Sequence, residues 1–565
     1  MPPWCRGWVG GRCELTGENG EKNTPDLGAT NPKWSLFMVQ RPPPKKNFPL
    51  RGQFAGGGDS LPSAWYLGII CCLFKKGDAS LPENYRPVSL LQTLYKTFSK
   101  VIELRLRANI LDRLDLFQYG FLKGESTESA IFALLRLIEL SEEAQNFPIF
   151  LILLDWRMAY DRIHHVPFWD ACSRIGIQGK MLRILKLLYT NTRFLVRDSM
   201  SRANEAPQRC GLRQGDPLSC LLFLVVLTVI MHDARADYSK KCEEMNLVDW
   251  NLLEEFSRRP YICFADDTNL YSATIKSLEI MLHSVQIAAR KYGLELNQSK
   301  TFCVLVGAAR RRQGPYRLRD VDGIYISVVH SAKTLGYELG GEHATSYLVR
   351  KKSGQMEGKM KKFTPIWTSD LPKKTKVRRY ESLVLASCIN GLHMLPLMVQ
   401  DLEHFEYRHV RCLRRVLNIP SAFYSRISNE KVLSMASSKP LSFFLLMKQC
   451  NHLGHILRRP EEHPDRHILF RNDDQETRKP AGTARRVGMP RAKWFDQLYK
   501  LVFLPDEIAK SDLWHLAQNR PEWYQLTMRL CSTASTNILH RRTRAVFQGP
   551  ALDLEPQEQN VPSIH

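Results

Sequence analysis

Three acidic residues of this 565-residue chain stand at the ends of two strongly apolar stretches. Asp266 and Asp267 close the run in YICFADDTNLY (261–271), and Asp155 closes FPIFLILLDW (147–156). A charged carboxylate at the end of a buried strand loses several kcal/mol of hydration unless something offsets it. Either the aspartates lie in solvated turns, where paired aspartates are common, or a cation sits on them. The two acidic positions lie 111 residues apart. Two such strands side by side would bring Asp155 and Asp266 to one sheet edge, where hard oxygen ligands suit Mg²⁺. Two ions there would activate an attacking hydroxyl and stabilise a leaving pyrophosphate.

The elements that must position these residues follow from hydrophobic period. WYLGIICCLFKKGD, from Trp65, reads as a strand leading to a basic turn. Residues 88–113 carry Leu91, Leu94, Tyr95, Phe98, Val101 and Ile102 at helical spacing, and a second apolar helix is expected at 128–140. The run at 147–156 is continuous and short, as in a strand buried on both faces. Helices are expected at 166–175 and 179–190, a strand pair within 193–210, and a buried helix after Pro217. The aspartate pair then sits in a hairpin, followed by a helix through Leu278, Met281, Leu282, Val285 and Ala289 that Gly293 ends. Strands at 301–307 and 323–329 complete an α+β unit, and from about 345 the pattern is helical and basic. Residues 1–60 show no sustained period and read as a disordered leader.

Composition narrows the class. Apolar content of 44% and aromatic content of 10% are those of a folded chain, and a net charge of +23 favours a polyanionic partner. Fourteen cysteines without a CxxC pair are not a disulfide framework and suit a reducing compartment. The longest strongly apolar run, at 220–231, is short of the roughly 20 residues a membrane span needs, so none is expected. The N-terminus lacks the apolar core of a signal peptide.

With its spacing, LDWRMAYDRIHH resembles the first catalytic motif of the reverse transcriptases of non-LTR (LINE-type) retrotransposons. GLRQGDPLSCLLF (211–223), FADD (264–267), YGLELNQSKT (292–301) and KTLGYELG (333–340) resemble the motifs that follow. FKKGDASLPENYRPVSLL (74–91) and QYGFLKGEST (118–127) resemble the finger motifs that come before. Seven motifs in the family's order cover roughly 60–345.

The resemblance implies a right-hand polymerase: fingers, an antiparallel palm sheet and a helical thumb, with a basic, mainly helical C-terminal extension. It implies fingers and palm over 61–345, a thumb or basic helical region over 346–440, and a nucleic-acid-binding extension over 441–565. The implied activity is RNA-directed DNA polymerase (nucleotidyltransferase), copying RNA from a 3′-hydroxyl primer. Two Mg²⁺ ions, with Mn²⁺ as a substitute, would be held by Asp155, Asp266 and Asp267, and Lys300 would protonate pyrophosphate. Tyr160 would exclude a 2′-hydroxyl, Gln214 and Gly215 would lie against the nascent pair, and Arg86, Lys75 and Lys76 would grip triphosphate or template. The bland alternatives are a core aromatic at Tyr160, a turn glycine at Gly215 and solvated bases at the rest. Lys351, Lys352, Lys361, Lys362, Lys373, Lys374, Arg378 and Arg379 form two clusters suited to a phosphate backbone.

Implied partners are an RNA template, a DNA primer or target and deoxynucleoside triphosphates, with no membrane. The implied location is intracellular, in the nucleus with a cytoplasmic ribonucleoprotein stage. The chain departs from the family's pattern at Leu122 and Glu125, where basic residues are common, and at Asp216, where proline or a small residue is. Those changes leave fewer triphosphate contacts. Many relatives carry an endonuclease, which about 60 residues before the fingers cannot hold, so a fragment of a larger element is expected. Cys450, His452, His455, His463 and His467 fit no familiar zinc-finger spacing. The alternatives are a decayed or domesticated RNA-binding copy and a group II intron maturase-like protein.

Overall fold

A computed structural model describes residues 61–81, 84–196, 205–247, 256, 259–312, 314–340, 344–470, 493–504 and 507–547. The expected leader at 1–60 and residues 471–492 of the expected extension lie outside them. Among the described residues the strands are, in chain order, β1 Leu67–Phe74, β2 Tyr85–Leu90, β3 Pro148–Leu154, β4 Arg193–Val196, β5 Ala206–Pro207, β6 Tyr261–Phe264, β7 Asp267–Ser272, β8 Phe302–Gly307, β9 Ser327–Val329, β10 Ser331–Thr334 and β11 Tyr337–Gly340. The chain divides into two units, Met1–Leu111 with Ile163–Leu222, and Asp112–Arg162 with Phe223–His565.

The first unit holds a sheet in the order β2–β1–β4–β5. β1 and β2 are antiparallel, with Ile69 opposite Leu90 and Phe74 opposite Tyr85, and β4 joins β1 in parallel. The helix expected from residue 88 starts later, at Thr93, and runs to Ile110. The difference arises because residues up to Leu90 are taken by β2, with Val88 opposite Cys71 and Leu90 opposite Ile69. The face this helix buries is Tyr95, Ser99, Ile102, Leu106 and Ile110.

The second unit is built on a five-stranded sheet, order β6–β7–β3–β8–β9. It is antiparallel from β6 to β8, and the edge strand β9 runs parallel to β8. β3 lies between β7 and β8 and is buried along nearly all its length, which is why it reads as an unbroken apolar run. Two long helices pack on this sheet. Thr127–Glu143 starts under a Ser126 hydroxyl that accepts from Ser129 N at 3.2 Å. Ile275–Lys291 starts under Thr274, which accepts from Ser277 N at 3.1 Å. KTLGYELG forms the β10–β11 hairpin, turning through Leu335 and Gly336, both at positive φ.

The expected buried helix is Pro217–Glu244. By length and composition it could cross a membrane, but 78% of its apolar window is buried inside the protein. Such a helix, apolar on all sides, is what a protein core requires. From Ala344 onward the described chain is helical, and its helices share one core that includes Trp367, Tyr380, Phe405, Leu445, Trp494 and Trp523. This mixture of an antiparallel palm sheet and a helical continuation is a right-hand polymerase fold.

Candidate active site

Register places the aspartates. β3 and β7 pair with Leu154 opposite Thr268, so Asp155, one residue on, and Asp267, one residue back, meet at the sheet end. In the β6–β7 hairpin Phe264 lies opposite Asp267, which leaves Ala265 and Asp266 as the turn. Ala265 takes φ +54°, a left-handed conformation that costs an ordinary residue roughly 1–2 kcal/mol.

Gln118 holds that turn. Its Oε1 accepts from Ala265 N at 2.8 Å and Gly120 N at 2.7 Å, and its Nε2 donates to Ala265 O at 3.3 Å. The same segment adds to the sheet beside β6: Cys263 N donates to Phe117 O, and Tyr119 N to Cys263 O. Gly120 must be glycine, because a Cβ there would lie 2.2 Å from Ala265 N. The sequence shows QYGF as a finger motif but not that it clamps the aspartate turn. The only signal was an amide side chain among apolar neighbours.

The charges repel. The Asp267 carboxyl is pushed up to about 6, first by burial and then by Asp266 and Asp155. Asp155 is oriented by Asn297, whose Nδ2 donates to Oδ2 at 2.7 Å and whose N–H donates to the Asp155 carbonyl at 2.7 Å. Lys300 Nζ stands 3.8 Å from the same Oδ2 and is well exposed. Asn297, in the NQSK stretch, is a second positioning residue that the sequence did not single out. Three carboxylates on one sheet end form an all-oxygen donor set of the kind that fits a divalent cation.

Among the described residues, the set of three or more potential ligand atoms all within 4.8 Å of one another lies elsewhere, at Glu125, His463 and Asp465. That set already holds a cation. Arg459 donates to Glu125 and, at 2.8 Å, to Gly124 O, and its NH1 lies 2.8 Å from His463 Nε2. Glu125, at a position where basic residues are common, is thus committed to a buried ion pair. The five candidate zinc residues are not gathered: Cys450 lies 3.6 Å from Cys531, His452 packs against Phe132 and Trp494, and His455 bonds Gly124 O.

Tyr160 stacks face to face on buried Phe223, with centroids 4.6 Å apart and planes 15° apart. The other residues expected at a nucleotide site belong to the first unit. Gly215 takes φ +108°, and a Cβ there would lie 2.8 Å from Ser89 O. Gln214 O accepts from Ser89 N at 2.7 Å. Asp216 is buried and accepts from the hydroxyls of Tyr95 (2.8 Å) and Ser99, and from Leu218 N at 3.1 Å. Its departure from the family's residue is therefore a structural tie. Arg86 lies exposed on β2, and Lys75 and Lys76 lie exposed just beyond β1.

Of the basic clusters, Lys351, Lys352, Lys361 and Lys362 lie on the helix Ala344–Lys362. Lys352 is half-buried there, which lowers its pKa, and Lys351 Nζ lies 3.5 Å from Glu338. Lys373, Lys374, Arg378 and Arg379 lie on Lys373–Tyr380, all exposed.

The sheet order and its carboxylate end are those of the palm in a right-hand polymerase fold. Residues 74–339 match the family described as reverse transcriptase (RNA-dependent DNA polymerase). This region is similar to reverse transcriptases of the non-LTR retrotransposon type, as its motifs lead one to expect. It is 25% identical over 276 residues to the transposon TX1 149 kDa protein of Xenopus laevis, a match covering 47% of this chain and 20% of that one. It is 27% identical over 282 residues to the R2 element polyprotein of Popillia japonica, covering 49% and 38%. The chain thus spans well under half the length of these relatives. Among solved structures, a Candida albicans telomerase with a fragment of telomeric RNA aligns at 11% identity and a TM-score of 0.34, covering 69% of this chain and 64% of that one. The RNA-dependent RNA polymerase of a human picorbirnavirus aligns at 11% and 0.33, covering 66% and 60%. Reverse transcriptases use divalent metal ions, and the donor set at the sheet end is compatible with that use.

Proposed function

We propose that the chain is an RNA-directed DNA polymerase that extends a 3′-hydroxyl primer on an RNA template. The observation that carries this reading is the convergence of Asp155, Asp266 and Asp267 at one sheet end, with Asp267 lifted to about 6 by burial and its neighbours. Asp155 and Asp266 would hold two Mg²⁺ ions, or Mn²⁺ in their place, with Asp267 beside them. Bound there, the ions supply charge stabilisation to the reacting phosphate and the departing pyrophosphate. Asn297 fixes the Asp155 carboxylate, Gln118 fixes the turn that carries Asp266, and Lys300 Nζ, 3.8 Å from Asp155, would serve as the proton donor to pyrophosphate. Tyr160, backed by Phe223, is the wall against a 2′-hydroxyl. On the first unit, Lys75 and Arg86 would meet phosphate, with Gln214 and Gly215 near the base pair.

The chain with Asp266→Ala should lose primer extension on RNA by orders of magnitude while its affinity for RNA survives. Equal extension by variant and parent would remove the catalytic assignment. The basic helix Lys373–Tyr380 is proposed to track the template backbone. Changing Lys373, Lys374, Arg378 and Arg379 to Gln should flatten the log–log salt dependence of RNA affinity by up to roughly three units. The loss should not depend on template sequence, because phosphates carry none. Superimposable salt lines would mean these side chains face only water.

A further inference from the structure

The loop between helices Val399–Leu417 and Asn429–Ala436 is held firmly and yet displays its largest side chains to water. Arg414, 7% exposed, supports it from within. Its guanidinium donates to Pro420 O and Ser425 Oγ, both at 3.2 Å, to Ile427 O at 2.5 Å and to Asn429 Oδ1 at 3.4 Å. Ser425 Oγ also donates to Ser421 O at 3.1 Å. On this frame Phe423 is 70% exposed and Tyr424 78% exposed, edge to face with centroids 5.2 Å apart. Core packing does not require two adjacent aromatic rings in water, and rings so displayed mark a binding surface.

The chemistry nearby indicates the partner. The Arg426 guanidinium sits over the Phe423 ring at 5.5 Å. Arg411 and Arg415 are exposed on the helix that enters the loop, and Lys431 on the helix that leaves it. Nearby acids already have partners, Glu430 with His540 and Glu357 with Arg408. In a chain of net charge +23, aromatic faces interleaved with cations suit a polyanion carrying flat rings. We propose that Phe423 and Tyr424 form a stacking platform for unpaired bases of a single-stranded nucleic acid, whose backbone Arg426 and Arg415 accompany. Stacking on aromatic side chains is available to every base, so the platform is indifferent to sequence. The proposal does not rest on catalysis and holds whether or not the aspartates polymerise.

The test uses the full chain and two labelled probes: a single-stranded oligoadenylate of about 16 nucleotides, and a base-free ribose-phosphate oligomer of equal length and charge. Phe423→Leu with Tyr424→Leu keeps apolar bulk and removes both rings. It should bind oligoadenylate roughly 10- to 100-fold more weakly, leave the base-free probe unchanged, and keep the parent's salt slope. Phe423→Tyr with Tyr424→Phe keeps both faces and should bind like the parent. Equal loss on both probes, or no loss on either, would overturn the platform. So would a parent that self-associates in sedimentation while the leucine variant does not, which would make the rings an interface between copies. Both rings are exposed, so matching thermal melts are expected. A leucine variant that melts early would assign the rings to packing and likewise refute the proposal.

Discussion

The second unit contains two acidic clusters that differ in how their charge is met. At the sheet end, the exposed Lys300 ammonium stands 3.8 Å from Asp155, and burial with the neighbouring Asp266 and Asp155 raises Asp267. At Glu125 and Asp465, burial is deeper, yet Arg459 and His463 sit inside the cluster and the Tyr119 hydroxyl donates to Asp465 at 2.8 Å. The Glu125 carboxyl is held below the usual carboxylate range: burial raises it, and the bonds from His463 and Arg459 together outweigh that. In one cluster the chain's own Arg459 and His463 neutralise Glu125, while burial pushes Asp465 up to about 6. The other gathers a surplus of carboxylates at one sheet end, and a raised carboxyl in such a group marks a candidate ligand site.

Breaking the neutralised cluster should give the largest effect on stability. Arg459→Ala leaves Glu125 buried without its cation, so the second unit should lose about 3–5 kcal/mol, read as a drop in the urea midpoint. Adding Glu125→Ala should recover part of that loss, because the buried charge goes with its partner. A single variant as stable as the parent would show that the pair is solvated and the contrast between the clusters false.

The surplus cluster should respond in the opposite direction. Asp267 has a folded-state pKa of about 6 against an ordinary value of 3.8, so the folded state prefers the protonated form. Its contribution to stability is greatest below pH 4 and is lost as pH rises from about 4 through 6. Asp267→Asn should therefore stabilise the chain at pH 7 in chelator, by on the order of 1 kcal/mol for a half-buried group. Millimolar Mg²⁺ should raise the parent's midpoint and close the gap, since a ligand that binds only the folded state stabilises it. Should the Asp267→Asn change instead destabilise the chain at pH 7, the carboxylates do not repel as argued.

What the sequence revealed about this comparison follows from how far apart the partners lie. Asp155 and Asp266 were legible because β3 is buried on both faces, and an apolar run that ends in an acid is visible locally. The Glu125–Arg459 pair joins residues separated by 334 positions, and nothing near either one announces the other. Gln118 was invisible for the same reason, since its role exists only once residues 117–119 pair with Cys263. Asp216 was noticed only as a departure from the family, and Tyr95 and Ser99, more than 100 residues earlier, supply its reason. The β10–β11 turn was missed because Leu335 stands at a positive-φ position that usually announces itself with asparagine or glycine. Pattern shows which face is buried. It does not show which distant side chain completes a polar site.

The smallest effect expected belongs to Asn297, and it sharpens what surplus charge means. Asn297 Nδ2 bonds Asp155 Oδ2 at 2.7 Å, and Lys300 stands near the same oxygen. A hydrogen bond to a charged group contributes about 1.5–3 kcal/mol when dry, but Asp155 is 37% exposed, so water can replace part of it. Asn297→Ala should therefore slow primer extension by roughly 10-fold rather than abolish it. Its signature is a shift in the Mg²⁺ dependence: a loosened carboxylate binds the cation more weakly, so the variant should approach the parent's rate as Mg²⁺ rises. A merely structural role for Asn297 would lower the rate equally at every Mg²⁺ concentration, and that result would return the residue to the turn that Asn297 N–H makes with the Asp155 carbonyl.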